Sequence, residues 1–453
     1  MATDTESGVV IPQFGTRGKA WLGVLVLTIL VGMGAWAYQL TQGLAVTGMD
    51  NVFSWGLYIM LFVLFIGLSA GGLIISSAPK FFHSKRYDSL AAMGVLLSLG
   101  CIVVAGLLIL PDLGRPSRVV GFLTSPDFRS PMVWDFGIVL VYGLFSAGYL
   151  WLLTRRDLAR MGSRLAFGVE DTEEGRERDR KLAFWAAAVA IPLAIALHSV
   201  TGWIFATQIG RGDWFSPLVA PMFIMKALVS GLGLLLVTAI VLDRTTKFRL
   251  EEDLVSELAK VLGVFVAVHV VYLVAAERLP HAWAENFEFW SITGSFLVGD
   301  TIHFWLWTVV GGALPIALLA IPSLRRKLWA VATASVFAIV GILFEGVNLI
   351  FTGYTELNIG AAPGVTTGTD YTGVTADVWA TSGTYTPTLI ELLVVLGIVA
   401  IGALIVTLGL RFLPIQPGGG SPEPVTSEEP TTDAAVTDGG AVGTGNHGVN
   451  DDE

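Results

Sequence analysis

Nine ionisable residues stand inside or at the ends of long apolar stretches of this sequence. At the centre of a membrane helix such a group costs roughly 2.5 kcal/mol or more, so each one suggests a function. They are Asp112, Asp135, His198, Lys226, His269, Asp300, His303, Glu345 and Glu391. Together they predict a polar, partly hydrated region inside a membrane domain.

Some of these residues share a helix face with other polar groups. Two sets repeat at i, i+3, i+7, the spacing of one face: Asp300, His303 and Trp307, and Glu345, Asn348 and Thr352. A polar stripe on a spanning helix should face the bundle interior or a water-filled cavity. Two interpretations stay open, a proton path and a buried ion pair, for Lys226, Asp300, His303, Glu345, Asn348 and Glu391. A third, helix capping in the headgroup zone, applies to Asp112, Asp300 and Glu391.

The apolar stretches are long enough to cross a membrane. Of the 453 residues, 53% are hydrophobic and only 14% charged, whereas a soluble domain carries about 25% charged residues. A helix needs about 20 apolar residues to cross the hydrocarbon core, because lipid cannot satisfy backbone polar groups. We therefore predict an all-α integral membrane protein with ten transmembrane helices. The spans run over roughly 19–40, 52–77, 90–111, 133–154, 181–207, 219–242, 255–276, 299–321, 328–352 and 388–413.

These spans predict the organisation of the whole chain. A short segment, 1–18, precedes a ten-helix domain, 19–413, which includes an extracytoplasmic loop at 353–387. The tail 414–453 holds eight acidic residues and no Lys or Arg, so we expect it to be disordered.

The second through ninth spans are expected to form two four-helix bundles, with one extra helix at each end. Small residues lie partway along spans two and six, in "GLSAGG" (67–72) and "LVSGLG" (228–233). Because small residues let helices approach closely in lipid, these motifs fit either an internal repeat or ordinary bundle packing.

The distribution of basic residues predicts the orientation. If the N-terminus is cytoplasmic, cytoplasmic segments hold 21 of the 27 Lys and Arg residues. Cytoplasmic loops are enriched in Lys and Arg. We therefore predict that the chain spans the cell membrane and that both of its termini lie in the cytoplasm.

Metal centres are not expected in this chain. Cys101 is the only cysteine, which excludes a four-thiolate iron–sulfur cluster within the chain. A b-type haem needs two facing axial ligands, and three histidines in the spans are too few for two haems. If the protein handles electrons, their metal centres are predicted to belong to a partner.

Four motifs resemble a known family. "WGLYIMLFVLFIGLSAGG" (55–72), "DLGRPSR" (112–118), "SPMVWD" (130–135) and "HSVTGW" (198–203) together resemble the NrfD/PsrC-type polysulfide reductase membrane subunits. The ten-span layout is similar to the longer, HybB-type members, and the resemblance covers roughly residues 50–350.

The resemblance implies a membrane anchor that binds menaquinone or ubiquinone near one face and performs the quinone half-reaction. It implies electron exchange with a four-cluster ferredoxin-like subunit, which in turn serves a large molybdopterin-type catalytic subunit. Such complexes act in anaerobic respiration. Proton translocation is a further expectation, and no nucleic-acid partner is predicted.

A quinone ring needs hydrogen-bond donors for its oxygens and flat apolar walls. Tyr58 or His198 could donate, and Asp112 or Asp135 could take the proton. The expected stacking residues are Trp55 and Trp134. Arg115 and Arg118 are predicted to line the pocket or to bind the partner subunit or a lipid phosphate.

Two other classes of protein fit part of these observations. A proton-coupled secondary transporter would also have ten spans, a repeat and buried Lys and Glu residues. A passive anchor would hold soluble redox subunits at the membrane without a quinone site. Bound quinone distinguishes the first interpretation from both.

Overall fold

The computed structural model describes residues 15–81, 88–211, 214–246, 250–284, 305–355 and 385–415. Ten helices form most of this part: α1 (Thr16–Gln42), α2 (Leu57–Phe81), α3 (Asp88–Asp112), α4 (Pro131–Arg160), α5 (Glu173–Ala206), α6 (Val219–Thr245), α7 (Glu252–Ala284), α8 (Leu306–Ala320), α9 (Leu328–Thr355) and α10 (Leu389–Phe412). Within the described ranges, all but the shorter α8 are long and apolar enough to cross a membrane. The prediction of an all-α membrane protein with about ten spans is confirmed. Most of the predicted loop at 353–387 and tail at 414–453 falls outside the described residues.

The helices run alternately between two ends of the bundle. At one end α1 ends, α2 begins, α3 ends and α4 begins, and we call this the motif end. The arginine-rich connection between α4 and α5 lies at the opposite end, which we call the basic end.

The eight central helices form two four-helix bundles. In the first, α2 packs on α3, α3 on α4, α4 on α5, and α5 on α2. The second repeats this cyclic order with α6, α7, α8 and α9. The prediction of two bundles is therefore confirmed, with α1 and α10 as the extra helices.

The two small-residue motifs lie against each other where the bundles join. A side chain at Gly71 of α2 would place its Cβ 1.8 Å from the Ala227 carbonyl oxygen, and one at Gly231 of α6 would meet the Gly71 backbone at 2.4 Å. Only glycine allows this contact between helix backbones. The motifs therefore form the central crossing of the molecule.

The two extra helices pack on each other. A Cβ at Gly32 of α1 would lie 2.5 Å from the Gly397 Cα of α10, and α10 also packs on α3. The first and last described helices thus form one pair beside the first bundle.

Two helices extend beyond their predicted spans at the basic end, where α4 continues to Arg160 and α5 begins at Glu173. Asp179 of α5 accepts hydrogen bonds from Arg155 at 2.9 Å and from Arg156 at 2.7 Å. Ion pairs of this kind explain why these helices continue outside the apolar stretch.

The connection between α4 and α5 is also held by charge. The Thr172 hydroxyl accepts the Gly175 N–H at 3.2 Å and caps α5. Hydrogen bonding to the Arg176 guanidinium holds the pKa of Asp171 below its ordinary value. This loop is therefore a structured, ion-paired element.

Three prolines lie at the motif end, and two of them begin helical segments. Pro116 is the first residue of a 3-10 turn and Pro131 is the first residue of α4. Proline is tolerated there because backbone N–H groups in the first turn of a helix have no partner within the helix. Pro111 lies in the last turn of α3.

Candidate functional site

A buried chain of hydrogen bonds links three helices at the motif end. The Tyr58 hydroxyl donates to Gln39 Oε1 at 2.6 Å, and Gln39 Nε2 donates to the Pro111 carbonyl at 2.9 Å. Tyr58 is fully buried and Gln39 almost so. Because the Tyr58 proton is already donated, its oxygen can only accept a further hydrogen bond.

Asp112 follows at the end of α3. Its Oδ1 is buried and has no hydrogen-bond partner among the described residues. Asp112 directly follows Pro111, whose carbonyl accepts the Gln39 amide, so it adjoins the hydrogen-bond chain that begins at Tyr58. Since buried polar atoms are nearly always paired, this oxygen indicates a missing donor. Tyr58, Gln39 and Asp112 are hereafter called the Asp112 pocket.

Glu391 caps a helix beside this pocket. Its carboxylate accepts the Tyr385 hydroxyl at 2.5 Å, the Gly48 N–H at 2.8 Å and the Thr388 N–H at 2.9 Å. With Thr388 it forms a capping box at the start of α10. Three interpretations were left open for Glu391: a proton path, a buried ion pair and helix capping. These hydrogen bonds are those of a helix cap.

Tyr385 connects this cap to α2. Its hydroxyl accepts the Leu57 N–H at 2.8 Å. Burial, together with the Glu391 carboxylate, raises the pKa of Tyr385, so the phenol stays protonated. The start of α10 is thus tied to the start of α2.

A second polar pair lies between α4 and α5. Thr201 Oγ1 donates to Asp135 Oδ1 at 2.5 Å, and both residues are buried. His198, one turn before Thr201, is also buried, with Nδ1 3.3 Å from the Ala194 carbonyl oxygen. These contacts stay within α4 and α5 and do not involve the Asp112 pocket.

The predicted stacking residues have different surroundings. Trp55 packs inside the protein, stacked on Trp214 at 5.5 Å and edge-on to Phe205 at 5.6 Å between ring centroids. Trp134 is 42% exposed and donates its indole N–H to the Phe128 carbonyl at 2.7 Å. Of the two, Trp55 is therefore the one positioned in an internal aromatic cluster.

Arg115 and Arg118 lie in the connection between α3 and α4, at the motif end. Both side chains are exposed. They can therefore contact another molecule that approaches this end of the protein.

A buried ion triad lies in the second bundle. Lys226 Nζ of α6 is 3.0 Å from Glu345 Oε1 of α9, and His269 Nε2 of α7 is 2.7 Å from Glu345 Oε2. All three residues are at most 3% exposed. Asn348 lies nearly buried one turn beyond Glu345, whereas Asp300 and His303 lie outside the described residues. We call Lys226, Glu345 and His269 the buried triad.

A rare helix type adjoins the buried triad. The first eight residues of α8, Leu306–Ala313, are π-helical. The Trp307 ring on this segment lies 6.4 Å from the His269 ring between centroids. Gly311 of the same segment meets Gly341 of α9, where a Cβ would come within 2.3 Å of the facing Cα.

Comparisons with known proteins agree with this architecture. Residues 45–358 match the model of the family described as polysulphide reductase, NrfD. The chain is 67% identical over 418 residues to a putative dimethyl sulfoxide reductase membrane subunit of Halobacterium salinarum, covering 92% of this chain and 96% of that protein.

Two more distant relatives have other names. The chain is 26% identical to a selenate reductase subunit of Mesobacillus selenatarsenatis, over 72% of this chain and 80% of that protein. It is 27% identical to the Hdr-like menaquinol oxidoreductase integral membrane subunit of Archaeoglobus fulgidus, over 87% of this chain and 93% of that protein.

Proposed function

Since the chain belongs to the NrfD family of polysulphide reductase proteins, we propose that it is the quinone-binding membrane subunit of a multi-subunit oxidoreductase. Its relatives are membrane subunits of such enzymes, and one is named for menaquinol. The proposed substrate is menaquinone or ubiquinone, with its quinol form.

The observation that carries this proposal is the unpaired Oδ1 of Asp112. It is buried, and the neighbouring Pro111 carbonyl is joined through Gln39 to the Tyr58 oxygen, which can only accept. Both groups therefore offer acceptors to a ligand, and a quinol hydroxyl is a donor that suits them. The Gln39 side chain holds Tyr58 in this state because its amide is fixed by the Pro111 carbonyl.

The chemistry follows from these acceptors. Oxidation of a quinol releases two protons and two electrons, and a carboxylate beside the hydroxyl can take the first proton as it leaves. Asp112 is at the end of α3, so it is placed to pass that proton toward the motif end. The reverse sequence would supply a proton to a quinone being reduced.

The proposal extends to the partner subunits and the orientation. The electrons would pass to a four-cluster ferredoxin-like subunit docked at the motif end, where Arg115 and Arg118 are exposed. That subunit would serve a large molybdopterin-type catalytic subunit. The basic end would face the cytoplasm of the cell, in agreement with the Lys and Arg distribution.

An Asp112→Asn variant tests the pocket. We expect the purified chain to bind a menaquinol analogue, observed as quenching of tryptophan fluorescence, and the variant to bind it at least tenfold more weakly. The amide removes the carboxylate that accepts from the hydroxyl, and a hydrogen bond to a charged group contributes about 1.5–3 kcal/mol. The matched control is Asp127→Asn, since Asp127 is an exposed residue paired with Arg129.

Two results would contradict the proposal in different ways. Wild-type affinity in a folded Asp112→Asn protein, with loss in Asp135→Asn or His198→Ala, would move the pocket to α4 and α5. A folded wild-type chain that neither retains quinone on extraction nor binds the analogue would favour a passive anchor, or a transporter if substrate uptake were found.

A further inference from the structure

We propose that the buried triad of the second bundle is a proton-binding site, separate from the Asp112 pocket, that loads and releases one proton as protons cross the membrane. The binding of the proton stands on the triad itself. Its coupling to electron transfer rests on the function proposed above.

The first argument is the charge of the triad. Glu345 uses one carboxylate oxygen for Lys226 and the other for His269, at 3.0 and 2.7 Å. A buried Lys–Glu pair is already neutral, so an imidazole is not needed to balance it. With His269 neutral the triad has no net charge, and one added proton gives it a single positive charge. His269 and Glu345 would share that proton across their hydrogen bond.

The second argument is that two buried nitrogen atoms of the triad are available to exchange a proton with bound water. His269 Nδ1 is buried and has no hydrogen-bond partner among the described residues. Lys226 Nζ, although 3.0 Å from Glu345 Oε1, is also buried without a hydrogen-bond partner among the described residues. It lies 4.9 Å from the Phe223 ring centroid. Buried polar atoms of this kind are the usual attachment points of internal water. Water at Nδ1 would let the imidazole receive a proton on one side and pass it to Glu345 on the other.

The third argument is the helix beside the triad. A π-helical segment is rare and is frequently found at functional sites. Here the segment Leu306–Ala313 places Trp307 next to His269. In the same segment, Gly311 packs against Gly341 and brings α8 close to α9. The segment thus widens α8 where that helix meets the triad.

A further titratable group in the described part of the chain lies on a helix that packs against α6. His198 is buried on α5, one turn from Thr201, the donor to Asp135.

Infrared spectroscopy of the purified full chain in liposomes tests proton binding directly, without quinone or partner subunits. On a change of pH we expect carboxyl and imidazole bands from the triad. Glu345→Gln should lose the carboxyl band and His269→Gln the imidazole band, because an amide at either position cannot take up the proton. The controls are Asp127→Asn, at an exposed carboxylate, and His447→Asn, at a histidine outside the described residues.

Removing Glu345 alone leaves Lys226 buried without its partner, which can prevent folding. A double variant, Lys226→Met with Glu345→Met, removes both charges and keeps the side chains long. We expect it to fold, as judged by its melting temperature, and to lack the carboxyl band. A carboxyl band that persists in this folded double variant, or that is missing from the wild-type chain, would overturn the proposal.

Coupling is measured in the assembled complex, reconstituted in liposomes and supplied with quinol and a water-soluble electron acceptor. In the Lys226→Met, Glu345→Met double variant we expect quinol oxidation to continue while the number of protons released per electron falls to the value that quinol chemistry alone supplies. An unchanged ratio would overturn the coupling. If Asp112→Asn and wild type were equally inactive with quinol, the quinone proposal would fail, and the infrared result would still decide proton binding.

Discussion

At the scale of residues, the Asp112 pocket lacks one hydrogen-bond donor. Tyr58 gives its proton to Gln39, Gln39 gives its own to Pro111, and Asp112 Oδ1 receives none in the described part of the chain. A ligand with a hydroxyl group completes the set, whereas a ligand that offers only carbonyl oxygens does not. If the proposed quinone site is correct, we therefore expect the pocket to prefer a quinol to a quinone.

A Tyr58→Phe variant tests this preference. It removes one hydrogen-bonding oxygen and leaves Gln39 Oε1 without its donor, so we expect quinol affinity to fall by about 1 kcal/mol, or about fivefold. Titration of the purified chain with a menaquinol analogue measures it. Tyr38→Phe, at a half-exposed tyrosine of α1, is the matched control and should bind like the wild type. Unchanged binding in Tyr58→Phe would remove Tyr58 from the pocket.

Residue types alone led to Asp112, Lys226 and Glu345, because each is costly in an apolar stretch, whereas Tyr58 was named only through the family resemblance. Gln39 had no such signal: a neutral amide near the end of a span fits a headgroup position equally well. Its importance depends on α1 lying against α2 and α3, which no pattern in the sequence specifies. His269 was seen as buried but was not assigned a partner, since Glu345 is 76 residues away.

At the scale of elements, the Gly71–Gly231 crossing holds the two bundles together. A Gly71→Ala variant would force its Cβ to within 1.8 Å of the Ala227 carbonyl oxygen unless the helices separate. We expect it to lower the free energy of unfolding by about 1–3 kcal/mol.

Thermal unfolding of the detergent-purified chain measures this loss. Gly34→Ala is the matched control, because a Cβ at Gly34 of α1 meets nothing within 4 Å. If both variants melted at the wild-type temperature, close packing at the crossing would not be required for stability.

The hydrophobic pattern of the sequence predicted which segments form membrane-spanning helices, but it did not predict the residues at which those helices end. The ends of α4 and α5 depend on Asp179, which pairs with Arg155 and Arg156 across the connection at 161–172. The π-helical start of α8 has no signature in the sequence either, because it depends on packing against α9. The existence of each helix was thus predictable, whereas helix ends and helix type required tertiary contacts.

At the scale of the whole molecule, the two bundles carry different polar groups. The first, with α1 and α10 beside it, holds the Asp112 pocket at the motif end. The second holds the buried triad. Its Lys226 lies about 10 Å along α6 from Val219, the first residue of that helix, at a rise of about 1.5 Å per residue. The same helix order therefore frames two unlike sites.

The orientation of the molecule can be tested with single cysteines. Cys101 is buried, so it should react little with a membrane-impermeant thiol reagent added to intact cells. We expect Asp127→Cys, at the motif end, to be labelled, and Glu174→Cys, at the basic end, to be labelled only after the membrane is opened. The reverse pattern would place the termini outside the cell.

The pairing of α1 with α10 has a consequence for biosynthesis. The Glu391 cap bonds Gly48 and, through Tyr385, the start of α2, so these contacts come from a helix that leaves the ribosome after the nine others. In a nascent chain that stops before α10, Gly32 of α1 has no partner helix. We therefore expect the start of α2 to be held in its final position only in chains whose translation has passed α10.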